Sequence, residues 1–291
     1  MKLAILGPSE EKIGYSTKKL VEEAEKVFDE VVLIPVIDVK LRITKELDAI
    51  YKGKSLKRFD YILPRIDSKR AVVGYPVVRF LDYLGTKKPY PAETILIAHN
   101  KFLTLERLVR NDVLVPQTYL AASKKSAKEV MKRMKLPIIL KLLSGFGGMG
   151  VMFMESKEAA RSALDTLKTL QQEVIMEEYI ENPGEDIRGI VAGNEVIASY
   201  KRIAAPEEKR ANIHAGGRGE AFALTKEMEE IVLKSAQAIG SKICAVDMIR
   251  GKNGVYVTEV NINPGIEGIE KATNINVAQR IINYIMSELK K

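Results

Sequence analysis

The sequence predicts an α/β protein built from more than one domain, and three observations carry that reading. The first third of the 291-residue chain alternates short β-branched runs with stretches of helical periodicity. Gly145, Gly147, Gly148 and Gly150 fall within six residues between two apolar runs. Near the C-terminus, the runs 244–250 and 255–261 flank a loop ending in Asn253-Gly254, which reads as an antiparallel hairpin.

The elements follow in order. A strand at 3–6 leads to a helix at 16–28, with Leu20, Val21, Ala24, Val27 and Phe28 on one apolar stripe. Strands at 31–36 and 61–66 and a helix at 72–84 complete a small parallel α/β domain spanning 1–95. A second unit, 96–172, takes a helix at 100–110, a turn and short strand at 113–120, and a helix at 126–134. Strands at 137–141 and 151–154 around the glycine loop, then a helix at 157–170, close it. The third unit, 173–291, is richer in strand: 174–180, then a hairpin of 187–192 and 195–203 over Gly193-Asn194. A helix at 227–238, the second hairpin and a closing helix at 277–289 finish the chain.

Composition narrows the function. With 46% hydrophobic residues the chain can bury a large core. No run reaches the 18 or so apolar residues of a membrane span, and the apolar start is too short for a signal peptide. The single Cys244 excludes an internal disulfide and fits a reducing cytoplasm. Two His and one Cys cannot build a zinc site of the usual kind. The net charge is +8, but Lys and Glu intersperse, as in Lys18-Lys19-Leu20-Val21-Glu22-Glu23, the pattern of a solvated helix face. The surplus suits small polyanions such as nucleotides and poly-carboxylates. Nucleic-acid binding would need aromatic residues interleaved with the basic ones, and aromatics are only 6%. No Ser/His/Asp set or reactive Cys environment supports nucleophilic hydrolysis.

The acidic hairpin carries the chemistry. With its loop centred near Asn253, Asp247 faces Glu259, and period-two alternation puts Asn261 on the same face. Two facing carboxylates in apolar strands repel unless a cation or a proton lies between them. Such oxygen ligands suit Mg²⁺ or Mn²⁺, commonly shared with a substrate phosphate. The alternative is a surface hairpin with unrelated acidic residues. The glycine loop follows Lys141 and joins two strands rather than a strand and a helix, so neither a Rossmann fingerprint nor a P-loop fits. It reads either as a flap closing over a triphosphate, with Lys141 beneath, or as a plain hairpin loop. Strand 174–180 can hold an adenine by its backbone or be an ordinary buried strand. Asp186 and Arg188 share a strand face, and Arg202, Arg210, Asn212 and His214 cluster around Gly216-Gly217. Guanidinium groups there suit carboxylate or phosphate.

Further pieces recur along the chain: Asn100-Lys101, Lys141 with Gly145-Phe146-Gly147-Gly148, Glu178-Tyr179-Ile180, Asp186-Ile187-Arg188 and Arg210-Ala211-Asn212. Ala245-Val246-Asp247, Glu259-Val260-Asn261 before Pro264-Gly265, and, in the first domain, Lys52-Gly53-Lys54 and Pro64-Arg65-Ile66 complete the set. Together they resemble the ATP-grasp superfamily and, within it, the RimK-like α-L-glutamate ligases, nearly end to end. The resemblance implies an ATP-grasp fold with an N-terminal Rossmann-like pre-ATP-grasp domain, a small lobe carrying the glycine flap and a large lobe carrying the metal site.

It also implies an ATP-dependent carboxylate–amine ligase. An acceptor carboxylate attacks the γ-phosphorus to give an acyl phosphate and ADP, and the amine of L-glutamate then displaces phosphate. Lys101, Lys141, Gly145, Gly147 and Gly148 would contact the phosphates of ATP. Glu178 and Tyr179 would border the adenine, with Asp186 near the nucleotide. Arg210 and Asn212 would act at the phosphoryl-transfer centre. Asp247, Glu259 and Asn261 would bind two Mg²⁺ or Mn²⁺ ions, and Arg188 and Arg202 would recognise a substrate carboxylate. The acceptor implied is glutamate-ended: a small archaeal cofactor such as coenzyme F-420 or tetrahydromethanopterin, or the tail of a small-subunit ribosomal protein. The Lys-, Glu- and Ile-rich, Trp-free composition tilts toward the archaeal cofactor. A homo-oligomer is open, and no nucleic-acid or membrane partner is expected. An ATP-binding module without turnover is the competing class, and the complete Asp247, Glu259 and Asn261 set speaks against it.

Overall fold

The computed structural model describes residues 1–9, 11, 13–143, 150–182, 184–205 and 217–290. The chain opens β1 (Lys2–Gly7), α1 (Tyr15–Ala24), β2 (Glu30–Pro35), β3 (Lys40–Ile43), β4 (Leu47–Tyr51), β5 (Lys54–Ser55), β6 (Tyr61–Pro64) and α2 (Ala71–Tyr83). β1 lies between β2 and β6, parallel to both, which is the expected parallel core. α1 stops before the expected 28, because a turn on Ala24 receives the N–H groups of Val27 and Phe28. That turn buries Phe28 but exposes Val27, so Val27 leaves the apolar stripe. β6 stops at Pro64, although the next N–H, of Arg65, still continues the ladder by donating to Leu6 O at 2.6 Å. The antiparallel trio β3-β4-β5 has no counterpart in the expected elements; its strands are short and, apart from buried Ala49, half-buried or exposed, so they lack a clear alternating pattern.

The middle of the chain forms α3 (Glu93–Ala98), α4 (Lys101–Val109), β7 (Thr118–Leu120), α5 (Lys124–Arg133), β8 (Ile138–Leu142), β9 (Val151–Met154), α6 (Lys157–Thr169) and β10 (Val174–Glu178). The four strands make an antiparallel sheet in the order β7-β10-β8-β9. β10 therefore belongs with the strands before it, and the change of sheet falls after Glu178 rather than at the expected 172/173 boundary. The reason is pairing: Ile175 sits beside Lys141 and Met176 beside Leu140. α5 and α6 cover one face, with Ile138, Leu140, Val174 and Met176 packed beneath them.

The remainder is β11 (Glu185–Ala192), β12 (Glu195–Ile203), β13 (Arg218–Ala221), α7 (Lys226–Ile239), β14 (Ile243–Gly251), β15 (Gly254–Asn261), α8 (Glu267–Thr273) and α9 (Val277–Leu289). The five strands form an antiparallel sheet in the order β13-β12-β11-β14-β15. Ile187, Val191, Val246, Met248, Val257 and Val260 pack on one side, in a core shared with α7 and α4. Ile190, Ala192, Ala198 and Ala245 pack on the other, in a core shared with α9 and α1. Thr225 caps α7 by accepting from Met228 N, and Gly240 ends it in the left-handed conformation that glycine adopts without strain.

Candidate active site

The β14–β15 hairpin has a two-residue turn, Lys252-Asn253, and its ladder runs regularly from Gly251 opposite Gly254 to Met248 opposite Val257. A regular ladder would next set Asp247 opposite Thr258. The register instead shifts at Asp247, which stands opposite Glu259, leaving Thr258 as the extra residue of a β-bulge. The Thr258 hydroxyl donates to Asp247 O at 3.3 Å. The bulge keeps Glu259 and Asn261 on the Asp247 face; a one-residue slip would turn both to the opposite, apolar side.

On that face four charged side chains interlock. Arg188 donates from Nε and Nη2 to the two oxygens of Asp247, both at 2.6 Å. Arg202 donates to Asp186, with Nη2 at 2.7 Å from Oδ2, and its Nη2 lies 3.0 Å from Asp247 Oδ2. Cross-strand register dictates the contacts, since Asp186 pairs with Arg202, and Arg188 with Asp247. Asp247 and Arg202 are almost fully buried. Burial pushes the Asp247 carboxyl up, but Arg188 and Arg202 outweigh it and hold the group down at about 2. Burial dominates at Asp186, whose carboxyl is raised despite Arg202. Both guanidiniums are held charged above their ordinary range by Asp247, against the opposing effect of burial.

The four-stranded sheet presents a second polar face. With Leu140 and Met176 turned toward the helices, Lys141 and Glu177 point to the opposite side. Lys141 Nζ donates to Glu177 Oε1 at 2.5 Å, while the buried Glu177 Oε2 has no partner among the described residues. Glu178 is held at its edge, its Oε1 accepting from Gln117 N at 2.8 Å. Tyr179 meets Phe153 edge-to-face at 5.0 Å. Asn100 caps α4 by accepting from Leu103 N, and Lys101 N donates to Leu143 O at 3.3 Å, hitching the α4 N-terminus to the stem of the glycine loop. α4 also packs on β15, so one helix ties the lysine-bearing sheet to the acidic hairpin.

Of the residues singled out from sequence, Asp186, Arg188, Arg202 and Asp247 come into direct contact, with Glu259 beside Asp247 in register. Asn261 is on the same face, opposite Ala245. Lys141 stands opposite Ile175, three residues short of Glu178, and pairs with Glu177. Arg188 and Arg202, expected to receive a substrate carboxylate, engage Nε and Nη2 with the chain's own carboxylates, leaving only the Nη1 edges outside these pairs. Gly145, Gly147, Gly148, Arg210, Asn212 and His214 lie outside the described residues. Sequence reasoning gave no role to Glu177, although it alternates with Ile175 opposite Lys141, nor to Arg65, a lone charge ending an apolar run.

The donor set suits a hard divalent cation: Glu259 adds a second carboxylate and Asn261 an amide oxygen. Asp247 is ionised, and a carboxylate offers about four lone-pair sites, so its two arginine-bound oxygens can still take a cation. Among the described residues no three His, Cys, Asp or Glu side chains converge, so Asn261 and substrate oxygens have to complete the shell.

A model of the RimK-like ATP-grasp domain matches residues 98–285, and one of the RimK pre-ATP-grasp domain matches residues 1–95. The chain belongs to the RimK-like ATP-grasp family. A relative named "Probable alpha-L-glutamate ligase" from Trichodesmium erythraeum is 36% identical over 294 residues, covering 100% of this chain and 98% of that protein. The crystal structure of a RimK domain ATP-grasp protein from Sphaerobacter thermophilus superposes with a TM-score of 0.74 at 19% identity, covering 98% of this chain and 99% of that one. The ATP-grasp ligase PsnB, solved with a phosphomimetic variant of its minimal precursor, Mg and ADP, gives 0.74 at 14% identity, over 99% of this chain and 98% of that one. These likenesses establish the ATP-grasp fold of this RimK-like chain, with its N-terminal pre-ATP-grasp domain.

Proposed function

We propose that this RimK-like protein is an ATP-dependent α-L-glutamate ligase that joins L-glutamate through an amide bond to the carboxylate of a glutamate-ended acceptor. The observation that carries the reading is the bulged hairpin, which sets Asp247 against Glu259 with Asn261 on the same face. The end-to-end likeness to proteins named as probable α-L-glutamate ligases supports the amine substrate. Lys141 and Lys101 contact the phosphates of ATP, together with Gly145, Gly147 and Gly148. Glu178 and Tyr179 border the adenine, and Asp186 lies near the nucleotide. Arg210 and Asn212 face the phosphoryl-transfer centre.

Asp247, Glu259 and Asn261 would hold two divalent ions, Mg²⁺ or Mn²⁺, which when bound would supply positive charge against that of the transferring phosphoryl group. Arg188 and Arg202 keep Asp247 ionised, which a cation ligand requires, and turn their free Nη1 edges to a substrate carboxylate. In the first step the acceptor carboxylate oxygen attacks the γ-phosphorus, and ADP leaves. In the second the amine nitrogen of glutamate attacks the acyl carbon, and phosphate leaves. The glycine loop excludes water from the acyl phosphate, which otherwise hydrolyses.

The acceptor is tested directly. Purified protein is given Mg-ATP, L-glutamate and, in parallel, coenzyme F-420, tetrahydromethanopterin or a glutamate-ended ribosomal-protein tail, while ADP and product mass are followed. The reading expects whole glutamyl masses on one acceptor with matching ADP. The relatives compared are bacterial and lend no support to the archaeal cofactor, so the ribosomal-protein tail stands level with it. ATP binding with no ADP from any acceptor would favour a non-catalytic module.

A further inference from the structure

The carboxyl edge of the N-terminal sheet holds a positive charge that no described residue neutralises. Arg65 directly follows β6, at the point where the chain order reverses: β1 leads to β2 on one side, and the later β6 lies on the other. In parallel α/β sheets, that reversal opens a crevice where ligands bind. Arg65 is only 6% exposed. Its Nη2 donates to Pro264 O at 3.1 Å, and its Nε has no partner among the described residues. Burial without an opposing carboxylate pulls its pKa down to about 10. Asn263, next to that same Pro264, carries a buried Oδ1 that also has no partner among the described residues. A guanidinium Nε lacking an acceptor and an amide oxygen lacking a donor thus belong to two residues joined through Pro264, one bonded to its carbonyl and the other next to it in the chain. Leaving both buried and unmet costs folding free energy unless a ligand supplies the missing halves.

We propose that Arg65 and Asn263 form the subsite for the amino-acid substrate, Arg65 taking its α-carboxylate and Asn263 Oδ1 an N–H of its α-amine. The proposal rests on the ligase reading above and adds to it the site of the incoming amine. Both residues meet at Pro264, which brings their unmet atoms to one locality and suits two groups borne on one carbon. Asn263 lies two residues beyond Asn261, so an amine held there is close along the chain to the acidic face. A donated N–H leaves the nitrogen lone pair free for the acyl carbon. The N-terminal domain thereby contributes half of the site and the hairpin's following loop the other half.

The test titrates amino acids into the whole protein saturated with Mg²⁺ and the non-hydrolysable analogue AMPPNP. The panel is L-glutamate, its α-carboxamide isoglutamine, and glutarate, which lacks the amine. Wild type is expected to favour L-glutamate over isoglutamine by about tenfold or more, as for a charge-assisted bond. Arg65→Met should weaken L-glutamate and erase that preference while leaving AMPPNP affinity within about twofold, a change too small to register as a lost contact. Arg65→Lys, which keeps the charge, should restore part of the preference. Asn263→Ala should weaken L-glutamate but not glutarate. A preference that survives in Arg65→Met, or AMPPNP affinity and thermal stability falling together with it in both Arg65 variants, would make Arg65 a strut between domains and overturn the subsite. Wild type that binds none of the three also overturns it. ADP release in the acceptor screen is read separately: its absence with the glutamate preference intact defeats the ligase reading and leaves the subsite standing.

Discussion

Asp247 is a carboxylate whose nearest cations are two arginines of its own chain. This arrangement keeps a buried acid ionised, and it also stabilises both arginines, so the four groups stand or fall together. Arg202→Met should cost about 3–5 kcal/mol, because it leaves Asp186 and Asp247 buried with one guanidinium between them. Urea unfolding monitored by circular dichroism measures it; a change below 1 kcal/mol, the range of an exposed pair, would mean the quartet is effectively solvated. Lys141→Ala should weaken ATP binding about 10- to 100-fold, the value of a charged hydrogen bond to phosphate. Calorimetry with AMPPNP reads that directly, and an unchanged affinity would confine Lys141 to its pair with Glu177. The opposition of Asp247 and Glu259 is read in the sequence from a loop centred near Asn253, whereas the turn is Lys252-Asn253 and the bulge at Thr258 makes up the difference, a device that neither strand alternation nor a turn signal encodes. The engagement of Arg188 and Arg202 was not legible, since alternation assigns a side chain to a face but not to a partner on that face. Arg65 and Asn263 were harder still: their meeting is long-range, and no local pattern encodes it.

At the scale of elements, α4 carries the most consequence for its length. Its cap, Asn100, precedes Lys101, and the Lys101 N–H reaches the strand before the glycine loop. Asn100→Ala should destabilise by about 1 kcal/mol through the lost cap. If the cap also fixes Lys101, the same variant should bind AMPPNP more weakly. Thermal melts with and without AMPPNP separate the two effects; a ligand-induced shift equal to that of wild type would limit Asn100 to helix stability. Elements with strong periodicity were legible to the residue, among them Val151–Met154, Glu195–Ile203 and Val277–Leu289. The missed ones, β3 to β5, α3, β13 and α8, are short. Segments of that length show too few repeats of either period for sequence to distinguish them from loops, and tertiary pairing decides their state.

For the molecule as a whole, the N-terminal domain is bonded to both ends of the catalytic lobe. His99 Nε2 donates to Ile66 O at 3.1 Å just before α4, and the adjacent Arg65 reaches Pro264 beyond β15. Ser16 Oγ accepts from Ile266 N at 3.0 Å, and α1 packs along α9. Burial holds His99 below its ordinary value of 6.5, and Lys101 adds to the effect while the Ile66 carbonyl and Asp67 oppose it. The folded protein thus prefers the neutral ring. Stability owed to His99 is complete above about pH 6.5 and is lost as pH falls below that toward the lower folded value. Melting temperature should therefore drop between pH 7 and 5, and His99→Gln should flatten that part of the curve. An equal slope in the variant would assign the acid sensitivity to carboxylates. The strands of the N-terminal parallel core were legible in pattern, whereas the membership of β10 in the middle sheet depended on pairing across more than thirty residues.

The extra residue at Thr258 makes this site a question of odd and even. Every contact between the turn and Met248 would survive the loss of one residue from β15, and the ladder would be more regular without it. The loss of Thr258 itself would leave Glu259 opposite Asp247 in an unbroken ladder, with Asn261 still on that side. Keeping the residue while closing up the ladder would do the reverse, sending Glu259 and Asn261 into the apolar layer and Val260 out of it. The hairpin can therefore spare one residue but cannot be straightened at its present length, and a count between Asp247 and Asn261 tells which relatives need a kink to hold this site and which can do without one.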